Sequence, residues 1–131
     1  MIGLDTNVLV RYLTQDDPSQ SAQANQIIEQ QLTSGNPGFL SLIVLIEAVW
    51  VLEACYGQGK SAIEAIVNSL LTTRQLMVDE SDLVYKALQR FSGGNADFSD
   101  ALIAVISEDR GCESTLTFDK KARSVGMVYI S

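Results

Sequence analysis

The chain has 131 residues, of which 47% are apolar, and its 16 acidic and 9 basic side chains give a net charge of −7 with no histidine. This composition excludes a disordered chain, and the charge disfavours the broad basic surface of non-specific nucleic-acid binders. The lack of histidine excludes serine-type triads, cysteine–histidine nucleophiles and imidazole-bound zinc sites. Any catalysis must therefore use carboxylates, hydroxyls, lysine or a hard metal ion.

The length predicts a single domain over residues 1–131. No apolar run reaches the roughly 18 residues that a membrane-spanning helix needs. The first residues lack the basic segment of a signal peptide, so a cytoplasmic location without membrane contact is expected. The two cysteines, Cys55 and Cys112, form neither a metal-binding pair nor a disulfide framework, and we predict that both are small buried thiols.

The predicted elements alternate between strands and helices in chain order. The first half is predicted to contain a strand at residues 2–4, a helical turn at 8–13, a helix at 19–33, a strand at 39–41 and a helix at 42–55. The second half is predicted to contain a helix at 61–72, a strand at 76–78, a helix at 82–91 capped by Ser81, a helix at 100–110 capped by Ser99, and strands at 114–117 and 127–130. This alternation predicts an α/β fold with a small parallel sheet covered by helices.

Two acidic residues follow predicted strands. Asp5 ends the first strand, and Asp119 follows the strand at residues 114–117. In open α/β sheets, ligands bind outside the carboxyl ends of the strands, so both carboxylates are candidates for a ligand site. The alternative for Asp5 is a turn or cap residue, a role that aspartate commonly has.

Glu47 lies in the predicted helix at residues 42–55, which is apolar nearly all round. Helices of this kind are buried, and an isolated ionised carboxylate inside one is costly unless it is paired or bound to a metal. We therefore favour a metal-ligand role for Glu47. An ion pair with an arginine or lysine is the structural alternative.

Asp97 and Asp100 lie at the predicted N-terminus of a helix. The helix dipole stabilises acids at this position, so capping alone could explain one of them. Asp100 precedes an apolar helix and is the stronger functional candidate. Asp97 lies in the entry turn, where it either supports the site or is only a cap.

These acids together indicate metal-dependent chemistry. Two carboxylates about 4 Å apart repel each other by roughly 4 kcal/mol at an effective dielectric constant near 20, so several can share a pocket only with a compensating cation or proton. Oxygen ligands favour Mg²⁺ or Mn²⁺. Such an ion orients and acidifies a water for in-line attack on a phosphate, and this reaction requires no histidine.

Four segments of the chain form a recognisable set. They are Leu-Asp-Thr-Asn at residues 4–7, Glu47 in its apolar helix, Ala-Asp-Phe-Ser-Asp-Ala-Leu-Ile at 96–103 and Thr-Phe-Asp-Lys at 117–120. Together they resemble the PIN-domain nucleases, and most closely the VapC-type toxins of bacterial toxin–antitoxin pairs. Each motif alone is weak, but four in this order are specific. The resemblance implies a three-layer sandwich in which helices flank a small central parallel sheet.

The resemblance also implies an activity and its residues. The activity is that of a Mg²⁺- or Mn²⁺-dependent endoribonuclease that hydrolyses single-stranded or loop RNA. Asp5, Glu47 and Asp100 form its acidic core, and Asp119 completes it. Supporting positions are matched by Asn7 and Thr117, with Asp97 as an extra acid. A homodimer inhibited by a small antitoxin is also implied, and the candidate RNA contacts are Arg11, Lys120, Lys121 and Arg123.

Two other functions remain as alternatives. A receiver-like phospho-acceptor domain also clusters acids with Mg²⁺, but it should have adjacent acids after its first strand, where Asp5 stands alone. A non-catalytic binding module is the second alternative, in which the acids are only caps and surface charges. The apolar residues Tyr12, Leu13 and Trp50 could belong to the core or to an interface, and we predict the core.

Overall fold

The computed structural model describes residues 1–131, which divide into two compact units, Met1–Asp79 and Glu80–Ser131. Both units combine parallel strands with helices, which confirms the predicted α/β class. None of the helices combines the length and the apolar character needed to cross a membrane.

The first unit contains three short strands and four α-helices. The strands are β1 (Ile2–Gly3), β2 (Gly38–Leu40) and β3 (Leu76–Val78). The helices are α1 (Thr6–Thr14), α2 (Pro18–Asn25), α3 (Leu42–Tyr56) and α4 (Lys60–Thr72). A π-helical segment, Gln26–Gln31, directly follows α2.

The strands of the first unit form one parallel sheet in the order β1-β2-β3. Gly38 pairs with Ile2 on one side and with Leu76 on the other. A Cβ atom at Gly38 would lie only 2.7 Å from the Leu32 side chain and 2.9 Å from that of Leu4, so glycine allows this close packing. Because the strands are parallel, the residues after β1 and β2 lie at the same edge of the sheet.

Polar side-chain caps mark the start of three of the four α-helices of the first unit, α1, α2 and α3. The Asp17 side chain accepts a hydrogen bond from the backbone N–H of Gln20, and Pro18 occupies the first helical position of α2. Ser41 Oγ accepts from the Val44 N–H at the start of α3. Helix α3 ends at Gly57, whose φ of 63° is the left-handed conformation that glycine adopts readily.

Helix α3 buries one face rather than its whole circumference. Leu45, Ala48, Val49 and Leu52 are buried. Ile43 is 72% exposed and Trp50 64% exposed on the opposite side of the helix. The predictions of an all-round buried helix and of a core position for Trp50 are therefore wrong. Apolar composition alone does not reveal which face of such a helix has a packing partner.

The second unit contains two α-helices and a two-stranded sheet. Its elements are α5 (Ser81–Gly93), α6 (Phe98–Asp109), β4 (Leu116–Thr117), a 3₁₀ segment (Lys120–Val125) and β5 (Val128–Tyr129). Strands β4 and β5 pair in parallel. Helices α5 and α6 pack against each other, and the rings of Phe91 and Phe98 meet edge to face with centroids 5.9 Å apart.

The structure corrects several local predictions. The helix predicted at residues 19–33 divides into α2 and the π-helical segment, in which the Leu32 N–H donates to the Ile27 carbonyl. Ser81 is the first residue of α5, with Glu80 at the cap position, and Ser99 lies inside α6, which Asp97 precedes. The predicted strands pair in two separate sheets, one in each unit.

Both cysteines are exposed, so the prediction that they are buried is wrong. Cys55 lies in the last turn of α3, and Cys112 lies in the loop after α6. The predicted burial rested on the general behaviour of free cysteine, whereas helix ends and loops offer few neighbours to cover a side chain.

Candidate active site

Asp5 lies where the chain passes from β1 into α1. Its backbone is extended, with φ −82° and ψ 162°, and it is the N-cap residue of α1. Its Oδ1 accepts a hydrogen bond of 2.8 Å from the backbone N–H of Thr6. The carboxylate is exposed and forms no ion pair. The cap role and a ligand role are therefore compatible, because the second carboxylate oxygen remains available.

Glu47 is held by a hydroxyl group from α1. The Thr6 Oγ1 donates a hydrogen bond of 2.8 Å to Glu47 Oε1, which links α1 to α3. Glu47 is exposed, which contradicts the predicted burial. It also forms no ion pair with arginine or lysine, so the structural alternative considered for this residue has no support.

Asp5 and Glu47 line one concave surface in the first unit, and the cavity that it encloses has a volume of about 480 Å³. Asn7 and Arg11 from α1 and Tyr56 from the end of α3 line it as well. The side chain of Asn7 is exposed and makes no hydrogen bond within the chain, so it is free to bind a ligand. Two of the four predicted core acids and the predicted supporting residue Asn7 thus share one surface.

Arg11 is fixed beside this surface by a polar network. Its Nε donates to Gln20 Oε1 at 2.8 Å, and its Nη1 lies 3.4 Å from both Asp16 Oδ1 and the Tyr56 hydroxyl. Hydrogen bonds from Tyr56 and Thr14, together with the Arg11 charge, hold the pKa of Asp16 below its ordinary value. Part of the Arg11 charge is therefore balanced within the chain, while Nη2 donates to no group of the protein.

Asp97 and Asp100 lie at the start of α6 in the second unit. Asp97 is the N-cap residue, but its side chain makes no capping hydrogen bond. Asp100 lies in the first turn, and the Asp97 backbone donates a hydrogen bond to its carboxylate, as in half of a capping box. A cap explains Asp100 better than Asp97, and the Asp97 carboxylate remains exposed.

Asp100 is also the acid with the least favourable surroundings. Partial burial, and then the negative charges of Asp97 and Asp119, raise the pKa of Asp100 above its ordinary value. The hydrogen bond from the Asp97 backbone opposes this increase. The three carboxylates are therefore close enough to repel, and a cation or a proton near Asp100 would relieve the repulsion.

Asp119 follows β4, as predicted, and is the N-cap residue of the 3₁₀ segment. Its Oδ1 accepts a hydrogen bond of 2.9 Å from the Lys121 N–H, and its own N–H donates to Thr117 Oγ1 at 3.0 Å. The Thr117 hydroxyl thus fixes the backbone that carries Asp119. The carboxylate is exposed and is in no ion pair.

The predicted basic contacts Lys120, Lys121 and Arg123 are all exposed on the 3₁₀ segment. Lys120 Nζ and the Arg123 guanidinium each lie 5.7 Å from the centre of the Tyr129 ring, within the range of cation–π attraction. Lys121 makes no such contact with the ring. Lys120 and Arg123 are therefore held near the Tyr129 ring, whereas Lys121 is not held there and can extend towards a phosphate.

The donor atoms of both units suit a hard divalent cation. Carboxylate and amide oxygens are the ligands that Mg²⁺ and Mn²⁺ prefer, and none of Asp5, Glu47, Asp97, Asp100 and Asp119 forms an ion pair with lysine or arginine. Neither unit by itself contains a group of three or more acidic or cysteine side chains arranged to hold a metal ion. The chemistry of these residues therefore fits the predicted metal in each unit taken by itself.

Comparison with known protein families shows which family the chain belongs to. The sequence model of the PIN-domain family matches residues 2–127, which is nearly the whole chain. The chain belongs to the PIN-domain family. The resemblance inferred from the four motifs is therefore confirmed, and the receiver-like alternative is excluded.

This PIN domain is similar to proteins of the VapC type, as the motifs predicted. A VapC ribonuclease of Aquifex aeolicus (strain VF5) is 24% identical over 128 residues, which are 98% of this chain and 94% of the relative. The crystal structure of VapC20 from Mycobacterium tuberculosis, a sarcin-ricin loop cleaving toxin, has 21% identity and a TM-score of 0.46, covering 98% of this chain and 97% of that one.

Sequence reasoning missed three polar residues of the first unit: Thr6, Asp16 and Tyr56. Thr6 follows Asp5 directly, but its partner Glu47 is 41 residues away, and no local pattern announces that pair. Tyr56 and Asp16 are 40 residues apart. The one available signal was the hydroxyl of Thr6 beside a candidate acid.

Proposed function

We propose that this PIN domain is an endoribonuclease that hydrolyses RNA phosphodiester bonds with Mg²⁺ or Mn²⁺. The observation that carries the proposal is the PIN-domain match over residues 2–127, in a chain that has an acid in each of the four motif segments. The full-length similarity to a VapC ribonuclease supports RNA as the substrate. Its single-stranded or loop form remains an inference from the family resemblance.

Asp5, Glu47, Asp100 and Asp119 are the proposed catalytic and metal-binding residues. Exposure supports these roles for Asp5, Glu47 and Asp119, and none of the four is neutralised by an ion pair. Thr6 holds Glu47 by a hydrogen bond, and Thr117 holds the backbone of Asp119. Asn7 and Asp97 have side chains without intramolecular hydrogen bonds and act as supporting residues.

A divalent cation would supply a Lewis acid for the phosphate and would lower the pKa of a nearby water. The residues of the chain bind and orient the reacting groups around that chemistry. The raised pKa of Asp100 agrees with this role, because a carboxylate that is poorly stabilised on its own gains most from a cation.

The biological role in this proposal is that of the toxin of a toxin–antitoxin pair in the cytoplasm. A small antitoxin would inhibit the enzyme, and the toxin would form a homodimer. The exposed apolar residues Ile43 and Trp50 lie seven residues apart on α3, and they support an additional protein contact because exposed apolar patches mark protein–protein interaction sites. Light scattering of the purified protein tests the dimer, and Trp50→Ser should shift the mass towards the monomer if α3 contributes.

Cleavage of a structured RNA by the purified chain tests the enzymatic proposal. The reaction is run with Mn²⁺ and with a chelator, beside Asp100→Asn and the matched control Asp109→Asn, an exposed acid near the other end of α6. We expect Mn²⁺-dependent cleavage by the wild type and the control, and no cleavage by Asp100→Asn. This pattern excludes a contaminating ribonuclease, because the three proteins share one purification.

Two outcomes contradict the proposal in different ways. Equal cleavage by Asp100→Asn and the wild type removes Asp100 from the catalytic residues. No cleavage of any RNA, together with no Mn²⁺-dependent increase in melting temperature, favours the non-catalytic binding module instead, because a bound ligand stabilises the native state.

A further inference from the structure

A second cavity of about 230 Å³ lies in the first unit, beside the concave surface that Asp5 and Glu47 line. Its walls come from α1, α2 and the π-helical segment. The two cavities share two lining residues, Asn7 and Arg11. A ligand in one cavity therefore lies next to a ligand in the other.

The smaller cavity combines amide groups with an apolar floor. Asn7, Gln20 and Gln23 supply the amides, and Val8, Ala24 and Ile27 supply the apolar surface. The side chains of Asn7 and Gln23 make no hydrogen bonds within the chain. Gln20 uses its Oε1 to accept from Arg11 Nε, so its amide N–H groups remain as donors.

The charge of this cavity differs from that of its neighbour. No acidic residue lines it, although the chain carries a net charge of −7. Arg11 contributes the one cationic group, held in place by Gln20, Asp16 and Tyr56. These surroundings disfavour a metal ion and favour a neutral, polar ligand attached to a phosphate.

The size of the cavity and its hydrogen-bonding groups limit the class of ligand that it can bind. Pockets for drug-sized molecules have volumes of roughly 300–1,000 Å³, so this smaller cavity suits a single ring system. Amide side chains read base edges through paired donors and acceptors, and sequence-specific proteins bind the unstacked bases of single-stranded RNA in this way. An apolar floor supplies the contact with the face of the ring.

We propose that the cavity between α1 and α2 binds one unstacked base of the RNA, next to the phosphate at the acidic surface, and that Gln23 and Asn7 read its edge. This inference rests on the proposed ribonuclease function and adds a specificity subsite to it. Arg11, at the border of the two cavities, would contact the connecting phosphate through its free Nη2.

Binding to short single-stranded RNA tests the subsite separately from cleavage. The probes are fluorescently labelled oligonucleotides that differ at one position, measured by anisotropy with Asp100→Asn as the inert background in Mn²⁺. Into this background we place Gln23→Ala or the control Gln30→Ala, an exposed glutamine that does not line the cavity. We expect Gln23→Ala to weaken binding of the preferred oligonucleotide by about fivefold or more and to flatten the preference among bases. The control should change neither quantity.

The outcomes separate this inference from the proposed function. Equal dissociation constants and base preference in Gln23→Ala and its background overturn the subsite, even if the wild type cleaves RNA with Mn²⁺. Gln23-dependent binding without any cleavage by the wild type supports the subsite and contradicts the ribonuclease. If free nucleoside monophosphates bind as tightly as the oligonucleotides, with the same dependence on Gln23, the cavity belongs to a nucleotide ligand and the RNA subsite is wrong.

Discussion

The two units hold their candidate acids in different ways. In the first, the acids are fixed by hydrogen bonds from neutral groups: the Thr6 hydroxyl donates to Glu47, and the Thr6 N–H donates to Asp5. In the second, Asp100 is partly buried and is repelled by Asp97 and Asp119, which raises its pKa. The hydrogen bonds of the first unit orient the carboxylates. In the second unit, neighbouring negative charges destabilise the ionised form of Asp100.

Because of this difference, we expect the acids of the two units to respond differently to a bound cation. A carboxylate held by a hydroxyl keeps its position whether or not a cation is present. A carboxylate beside two like charges is stabilised strongly only when a cation or proton arrives. We therefore expect substitutions of the acids in the first unit mainly to change how the metal and the RNA are positioned. Substitutions of the acids in the second unit should mainly change how the folding stability depends on pH and on bound cations.

The largest expected effect is on cleavage, and it tests whether both units are needed. Asp5→Asn and Asp119→Asn should each reduce the single-turnover rate by at least about 100-fold, because groups that only support metal ligands already cost 10–100-fold when removed. Asp82→Asn, an exposed acid in the first turn of α5, is the control and should cleave normally. A normal rate for Asp119→Asn would mean that the second unit contributes Asp100 without Asp119.

The next effect concerns metal affinity and Glu47. Mn²⁺ should raise the melting temperature of the wild type, since a ligand at 100 times its dissociation constant stabilises a protein by about 2.7 kcal/mol. Glu47→Gln should shift this titration to higher Mn²⁺ concentration, because the amide lacks the negative charge. The exposed Glu29→Gln is the control. Superimposable titrations for Glu47→Gln and the wild type would exclude Glu47 as a ligand.

A smaller effect is expected from Thr6, which is specific to the first unit. Thr6→Val keeps the size of the side chain but removes the donor to Glu47, so Mn²⁺ affinity should fall by about 10–100-fold. The cost in folding stability should not exceed about 0.5–1.5 kcal/mol, the usual net value of one hydrogen bond. Thr6→Ser should restore the affinity. A loss in both variants would indicate that the methyl group matters rather than the hydroxyl.

Much of the fold could be predicted because its signals are local. The strand at residues 76–78 was predicted with its observed bounds, and α3 and α4 were predicted to within one residue at each end. Alternation of elements was enough to predict parallel strands. The π-helical segment was not predicted, because its sequence contains no glycine or proline to mark a change of helix type.

The candidate site was predictable in its acids but not in their surroundings. Asp5 and Asp119 follow strands, and such positions can be read directly from the sequence. Glu47 was selected for a partly wrong reason, since α3 leaves it exposed, and the contact that orients it comes from Thr6. Partners 40 or more residues apart depend on how elements pack, which no short pattern encodes.

The smallest expected effect concerns the pH dependence of stability and the repulsion at Asp100. Because folding raises the pKa of Asp100, the protonated form is favoured in the native state. Protonation of Asp100 therefore adds to the free energy of unfolding. This contribution is fully present below the pKa of Asp100 in the unfolded chain, near 3.9, and is lost as the pH rises through its higher pKa in the folded protein. Asp100→Asn lacks this loss, so without metal its urea midpoint relative to the wild type should increase as the pH rises above about 4.

Mn²⁺ should then reverse the order of stability at neutral pH. A cation bound near Asp100 stabilises the carboxylate in the wild type and has less to gain from the amide in the variant. Asp109→Asn, on the same helix, should follow the wild type with and without metal. If Asp100→Asn and the wild type respond identically to pH and to Mn²⁺, the repulsion in the second unit has no thermodynamic consequence. The difference between the two units would then be one of position alone.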